Sequence, residues 1–184
     1  MKHQSNILAL KYRPKDFKDL IGQEYLVETI QKSIQLNKIP NAYIFTGIRG
    51  VGKTTTARIV AKMLNCTVFD DSKNPDLLNC EQAIAISEDR HPDVIEIDAA
   101  SNTSVENARE IIENVKYNPV LGKYKVYIID EVHMLSKSAF NALLKTLEEP
   151  PPHSKFIFAT TEISKVPLTI LSRCQRFDLK RIEK

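Results

Sequence analysis

The sequence predicts an α/β fold in one domain, with a five-stranded parallel sheet flanked by helices. Short, nearly continuous apolar runs alternate with stretches whose apolar residues recur at helical spacing. Runs of that kind suit strands covered on both faces. The first run leads straight into a cluster of glycines, Gly47, Gly50 and Gly52, three of the five in the chain.

Taken in order, Leu20-Ile21-Gly22-Gln23 leads into a helix with Leu26, Ile30 and Ile34 on one face, ended by Asn37 to Pro40. Ala42-Tyr43-Ile44-Phe45-Thr46 reads as the first strand. The helix from Thr54 to Leu64 buries Ala57, Val60, Ala61 and Leu64, spaced i, i+3, i+4, i+7. Between Cys66 and His91 the pattern is irregular, with loop around Asp70, Asp71, Asn74 and Pro75 and a short helix from Leu77 to Ser87. Val94 to Ile97 is the second strand. Thr103, with Glu106 three residues on, predicts a capping box for a helix buried through Val105, Ala108, Ile112 and Val115. Val126 to Ile129 is the third strand, ending at Asp130-Glu131. A helix with Phe140, Leu143, Leu144 and Leu147 inward stops at Pro150-Pro151-Pro152, since proline cannot continue it. Phe156 to Ala159 and Arg176 to Leu179 complete the five strands.

With 42% hydrophobic and 27% charged residues the chain is neither disordered nor fibrous. A net charge of +3 is too small to argue for nucleic-acid binding by itself. No apolar run reaches a membrane span. The four apolar residues from Ile7 to Leu10 are too few for a signal peptide, and the expected location is the cytoplasm. Three cysteines, Cys66, Cys80 and Cys174, cannot all pair within one chain, and none points to an oxidising compartment.

Gly47-Ile48-Arg49-Gly50-Val51-Gly52-Lys53-Thr54, followed by Thr55, fits G-x-x-x-x-G-K-[ST] at every specified position. Glycines let backbone N–H groups curl around a phosphate, and the following helix turns its positive end toward the same anion. Lys53 reaches the terminal phosphates, and the Thr54 hydroxyl suits Mg²⁺. The motif, with a strand before it and a helix after it, predicts nucleotide binding. Asp130 and Glu131 lie where open α/β sheets bind ligands. There Asp130 can support Mg²⁺ and Glu131 can activate water, although acidic residues also simply start helices. Thr160-Thr161 closes the fourth strand. Arg173 is unremarkable alone and becomes a candidate because phosphoryl transfer often recruits an arginine. His133 reads as a polar residue behind the acidic pair, and His3 and His153 as exposed.

Tyr12-Arg13-Pro14, Ile21-Gly22-Gln23, the phosphate loop, Asp130 to Leu135, Asn141 to Pro151 and Ser172-Arg173-Cys174 together resemble the gamma/tau subunits of bacterial DNA polymerase III, the AAA+ ATPases of the sliding-clamp loader. The resemblance runs from about Leu10 to Leu179. It implies an AAA+ strand order, with the phosphate-loop strand near the middle. It also implies Lys53 and Thr54 on phosphate and Mg²⁺, Asp130 on the metal, and Glu131 as the base. Thr161 matches the residue that senses the γ-phosphate, and Arg173 an arginine finger acting on a neighbour's ATP. Tyr12, Arg13, Leu20 and Ile21 form the adenine wall. The implied partners are delta, delta-prime and further gamma/tau subunits, the clamp and primer-template DNA. A polymerase label would belong to the holoenzyme.

The chain departs from the family in three respects. Many members carry four cysteines after the phosphate-loop helix; here only Cys66 and Cys80 remain, with Asn74 and Leu77 at the middle positions. Two thiolates make a poor tetrahedral zinc site, which His91 would complete only by chance, so no zinc is expected and the loop should be held by packing. Asn102, Thr103 and Ser104, matching a segment that faces DNA, carry no basic side chain, so any DNA affinity should be weak. Finally, members continue into a helical lid and an oligomerising collar. Residues 1–184 are therefore expected to be the nucleotide-binding domain alone, monomeric and nearly inactive in isolation. The alternatives are a non-catalytic stator subunit of the same assembly, which would tolerate loss of Lys53, and a helicase or small-molecule kinase. A helicase would need a second motor domain.

Overall fold

The computed structural model describes residues 14–69, 74–102 and 104–181. The elements in chain order are α1 (Glu24–Gln35), β1 (Ala42–Thr46), α2 (Lys53–Asn65), α3 (Glu81–Ser87), β2 (Val94–Asp98), α4 (Val105–Val115), β3 (Lys125–Asp130), α5 (Lys137–Glu148), β4 (Ser154–Thr160), α6 (Leu168–Leu171) and β5 (Gln175–Asp178). The five strands form one parallel sheet in the order β2-β3-β4-β1-β5. The expected α/β class and strand count are therefore found. The phosphate-loop strand, β1, lies between β5 and the middle strand, β4, near the middle of the sheet as expected.

Side chains alternate across a sheet, so a strand buried along its whole length feeds two cores. In β1, Tyr43 and Phe45 pack with Leu26, Ile30, Val60 and Leu64 of α1 and α2, whereas Ala42 and Ile44 belong to the opposite core with Phe140 and Leu143 of α5. Val126 and Ile128 of β3 face the first core, and Tyr127 and Ile129 the second. Each fully buried side chain of this size contributes about 1.5–3 kcal/mol. The result is a sheet between two helical layers. Its edges differ from the expected apolar runs. Glu96 of β2 and Arg176 of β5 reach solvent and are paired with Arg58 (2.6 Å) and Asp178 (2.6 Å). Charge on an edge strand discourages pairing with another sheet.

Three local expectations are corrected. The cap of α4 is Ser104, whose hydroxyl accepts from the Asn107 N–H at 3.3 Å. Asn107 is then the third helical residue, which puts Glu106 one position too early to close a capping box; Thr103 lies outside the described residues. His153 is half-buried and bonded through Nε2 to the Val115 carbonyl at 2.9 Å, while His3 lies outside the described residues. The short helix expected from Leu77 to Ser87 begins only at Glu81. Ahead of it, Leu77 and Cys80 are buried in the first core with Cys66, and Cys66 donates to the Val68 carbonyl at 3.0 Å. Asp70 and Asp71 lie outside the described residues.

One buried carboxylate was not anticipated. Asp93, 1% exposed, accepts the N–H groups of Val120, Leu121 and Gly122, each at 2.7 Å, and so clamps the loop after α4 to the start of β2. Burial pushes its carboxyl up, but the three N–H donors more than reverse this and hold it below the usual carboxylate range. A depressed folded-state value means that this stabilisation is complete above the unfolded value of about 4 and is lost as pH falls through the folded one. Asp93→Asn is expected to cost about 2–3 kcal/mol at neutral pH, because a buried charged acceptor of three N–H groups is replaced by a neutral one. The gap to wild type should narrow below pH 4. Thermal melts at pH 7 and pH 3 check this, and equal losses at both would contradict it.

Candidate functional site

Parallel strands all present their carboxyl ends at one edge of the sheet. With the order β3-β4-β1, the segments that follow these three strands become neighbours there. Thr46 pairs with Thr160 across β1 and β4, and Ile129 with Phe158 across β3 and β4. The phosphate loop, Asp130-Glu131 and Thr160-Thr161 are thereby brought together from positions up to 114 residues apart.

Gly47 leaves β1 with φ 151°, where a Cβ would lie 2.7 Å from the Leu179 carbonyl oxygen just past β5, so a side chain has no room. Gly52, at φ 96°, turns the chain into α2 from the left-handed region, which only glycine enters at little cost. That helix starts with no side-chain cap and no acidic residue in its first turn, leaving its positive end toward the loop. Lys53 is 5% exposed, and its ammonium donates to the Gly47 and Ile48 carbonyls at 2.9 and 3.0 Å. Burial pushes its pKa down, while the charges of Glu131 and Asp130 work the other way. The Thr54 hydroxyl donates to Asp130 Oδ2 at 2.5 Å, so these two oxygen donors lie within reach of one cation. A hydroxyl and a carboxylate oxygen are the hard donors that Mg²⁺ takes, and the pair fits that ion.

Glu131 stands in the left-handed region at φ 48°, ψ 44°, costly for a residue with a side chain. Its N–H is held by Asp130 Oδ1 at 2.9 Å, and its Oε2 accepts from the Thr161 hydroxyl at 3.0 Å. Strain of this kind, kept by surrounding bonds, gathers at functional positions.

Beside the loop lies a cleft of about 700 Å³ lined by Leu20, Ile21, Ile48, Arg49, Gly50, Val51, Gly52 and Thr55 among the expected residues. Tyr12 and Arg13 lie outside the described residues. Pro14, Asp19, Gln23, Lys180 and Arg181 complete the lining without having been anticipated as ligand contacts. Gln23 closes one side by donating to the Lys180 carbonyl at 3.0 Å. For Lys180 a signal existed: it directly follows the run Arg176 to Leu179 read as the last strand, whose carboxyl end must lie at the ligand edge of a parallel sheet. Arg173 does not line this cleft. It follows α6, a helix not anticipated from sequence, and its guanidinium holds Glu148 and the Thr169 carbonyl, each at 2.5 Å.

Residues 22–183 match the protein family described as DNA polymerase III, delta subunit. The chain is 52% identical over 177 residues to DNA polymerase III subunit tau/gamma of Haemophilus influenzae, covering 96% of this chain and 25% of that protein. It is 54% identical over 173 residues to subunit tau of Bacillus subtilis, covering 93% and 30%. Against subunit gamma of Buchnera aphidicola the identity is 51%, over 96% of this chain and 47% of the relative. The chain thus spans between a quarter and a half of the length of these curated relatives. Among solved structures, a DNA polymerase III gamma subunit-related protein of Thermotoga maritima superposes with TM-score 0.56 at 24% identity, over 87% of this chain and 46% of that one. The RuvB Holliday junction branch migration motor of the same organism does so with TM-score 0.61 at 18% identity, over 91% and 48%. These likenesses bear out the AAA+ type of P-loop fold. No described helix is long and apolar enough to cross a membrane. The chain belongs to this family of DNA polymerase III subunits, and its relatives of about half identity are the tau/gamma subunits.

Proposed function

We propose that residues 1–184 form the ATP-binding and ATP-hydrolysing motor domain of a bacterial sliding-clamp loader within the DNA polymerase III holoenzyme, driving loading of the clamp onto primed DNA. The observation that carries this reading is the convergence of an intact phosphate loop with Asp130, Glu131 and Thr161 at one sheet edge. A non-catalytic stator subunit has no use for that set.

In this reading the loop N–H groups and Lys53 bind the phosphates of ATP, and the cleft between Ile21 and Arg49 receives the nucleoside. Thr54 and Asp130 hold Mg²⁺, which when bound neutralises charge on the β- and γ-phosphate oxygens. Glu131 takes a proton from the attacking water, and the Thr161 hydroxyl, which donates to Glu131 Oε2 in the structure, turns its one proton toward the γ-phosphate. Arg173 serves a neighbouring subunit's site, consistent with its place outside the cleft of its own chain. The lid and collar of the whole subunit, its delta, delta-prime and further gamma/tau partners, the clamp and primer-template DNA complete the assembly, which works in the cytoplasm. With no basic side chain at Asn102 or Ser104, DNA contacts from the start of α4 would be made by backbone N–H groups and hydroxyls.

The test is ATP turnover by the full-length subunit assembled with its partners, with and without clamp and primed DNA. Stimulation by both is expected. Arg173→Ala should reduce turnover about 10³-fold, the scale of an arginine finger, with nucleotide still bound by the altered chain. Turnover indifferent to clamp, DNA and Arg173 would overturn the proposal.

A further inference from the structure

Behind Glu131 the chain places a group that neither the phosphate loop nor the metal pair uses. His133 lies in the short 3-10 turn Val132–Met134, and its side chain is only 5% exposed. Its Nδ1 is 2.8 Å from the Thr160 hydroxyl and 3.4 Å from Glu131 Oε2. Its Nε2 faces Glu162 Oε1 at 3.5 Å. The Thr160 oxygen, fully buried, also accepts the Glu162 N–H at 3.0 Å. Glu131 Oε2 in turn accepts from Thr161. One imidazole therefore touches the candidate base, the last residue of β4 and the residue after the sensor position.

Neither the turn nor β4 fixes the Glu131 carboxylate alone. Its backbone is pinned in the left-handed region, but its side chain has freely staggered torsions, and a half-buried carboxylate can swing to water. Thr161 supplies one bond to Oε2. With its proton on Nδ1, the ring donates to the Thr160 hydroxyl at 2.8 Å and presents the same edge to Glu131 Oε2 at 3.4 Å. Locking Thr160 to the ring also locks Thr161, the next residue, relative to the turn that carries Glu131. The base and the threonine that would read the γ-phosphate are thus held in one frame, and that frame runs through His133. Proximity effects in catalysis depend on such frames, because a misplacement of about 1 Å in a reacting group can cost a hundred-fold in rate.

We infer that His133 is a positioning residue for hydrolysis: through Nδ1 it ties the Glu131 carboxylate to the Thr160-Thr161 end of β4, so that base and phosphate sensor move together. The inference rests on the ATPase reading above. It requires an acceptor-facing donor at the Nδ1 position and not at the Nε2 position, a distinction that a merely space-filling histidine would not make.

Three variants in the full-length subunit, assembled with its partners, separate the possibilities. An asparagine carboxamide overlays Nδ1 of histidine, whereas a glutamine carboxamide overlays Nε2. His133→Ala is expected to lower kcat for ATP about ten- to a hundred-fold, the scale on which loss of an orienting partner falls, with KM and the affinity for ATPγS within about two-fold of wild type. His133→Asn should recover most of that loss, and His133→Gln should not. Thermal melts identify any variant that fails to fold, and the Asn/Gln comparison decides the matter if the alanine variant does. Unchanged kcat in His133→Ala, equal recovery by Asn and Gln, or a loss carried by KM and nucleotide affinity would each overturn the assignment while leaving the ATPase reading intact. Wild-type turnover that does not depend on Lys53 would instead overturn the ATPase reading, and this inference with it.

Discussion

Replacing Lys53 with alanine is expected to weaken binding of ATPγS with Mg²⁺ about a hundred-fold or more, from loss of a buried ammonium at the centre of the phosphate loop. A hydrogen bond to a charged group is worth about 1.5–3 kcal/mol, and 2.8 kcal/mol corresponds to a hundred-fold. Lys53 is well placed for an effect of that size. It is almost fully buried, already desolvated, and held over the loop by the Gly47 and Ile48 carbonyls, so little ordering remains to be done when a phosphate arrives. Burial pulls its pKa down, and the negative charges of Glu131 and Asp130 oppose that pull. Calorimetric titration of wild type and variant side by side measures the difference. Equal affinity in the two would remove the phosphate loop from the functional reading and restore the stator alternative.

The second large effect is expected at Glu131. Glu131→Gln keeps the size of the side chain and an oxygen able to accept from Thr161, but removes the capacity to take a proton. Turnover by the assembled complex should fall about 10²–10⁴-fold, the usual contribution of a positioned base, while nucleotide affinity stays within a few-fold. The contrast with Lys53→Ala is diagnostic. One variant loses binding; the other binds and does not hydrolyse. Phosphate release under saturating ATP reads the second, and a fall in affinity comparable to the fall in rate would show that Glu131 holds the ligand instead of activating water.

Much of this site was legible in the order of residues because its parts are local. The phosphate loop is eight consecutive residues between a strand and a helix, and both the spacing and the glycines follow from what a backbone must do to surround a phosphate. β1 is found over Ala42–Thr46 as read, and α5 stops at Glu148, just before Pro150. Apolar runs and proline stops act within a few residues, so the chain itself carries their signal. The Asp130-Glu131 pair was legible for the same reason: it ends a buried run, and the carboxyl end of a parallel strand is the ligand edge.

Other features depended on which strands became neighbours. Nothing in the residue order alone distinguishes β1 in the middle of the sheet from β1 next to its edge, and the partial exposure of β2 and β5 follows from the order adopted. Asp93 reads as an ordinary polar residue after a proline until the loop at Val120 to Gly122 folds back over it. His133 and Thr160 are 27 residues apart, and their contact exists only because β3 pairs with β4. The cap of α4 depended on the backbone angle at Ser104, not on the attractive spacing of Thr103 and Glu106. Sequence by itself thus determined the fold class and the glycine-rich loop between β1 and α2, whose signals are short-range and periodic. Only the tertiary structure decided how Glu131 is held and what lies beside it, because hydrogen bonds between strand ends are set by sheet order and register.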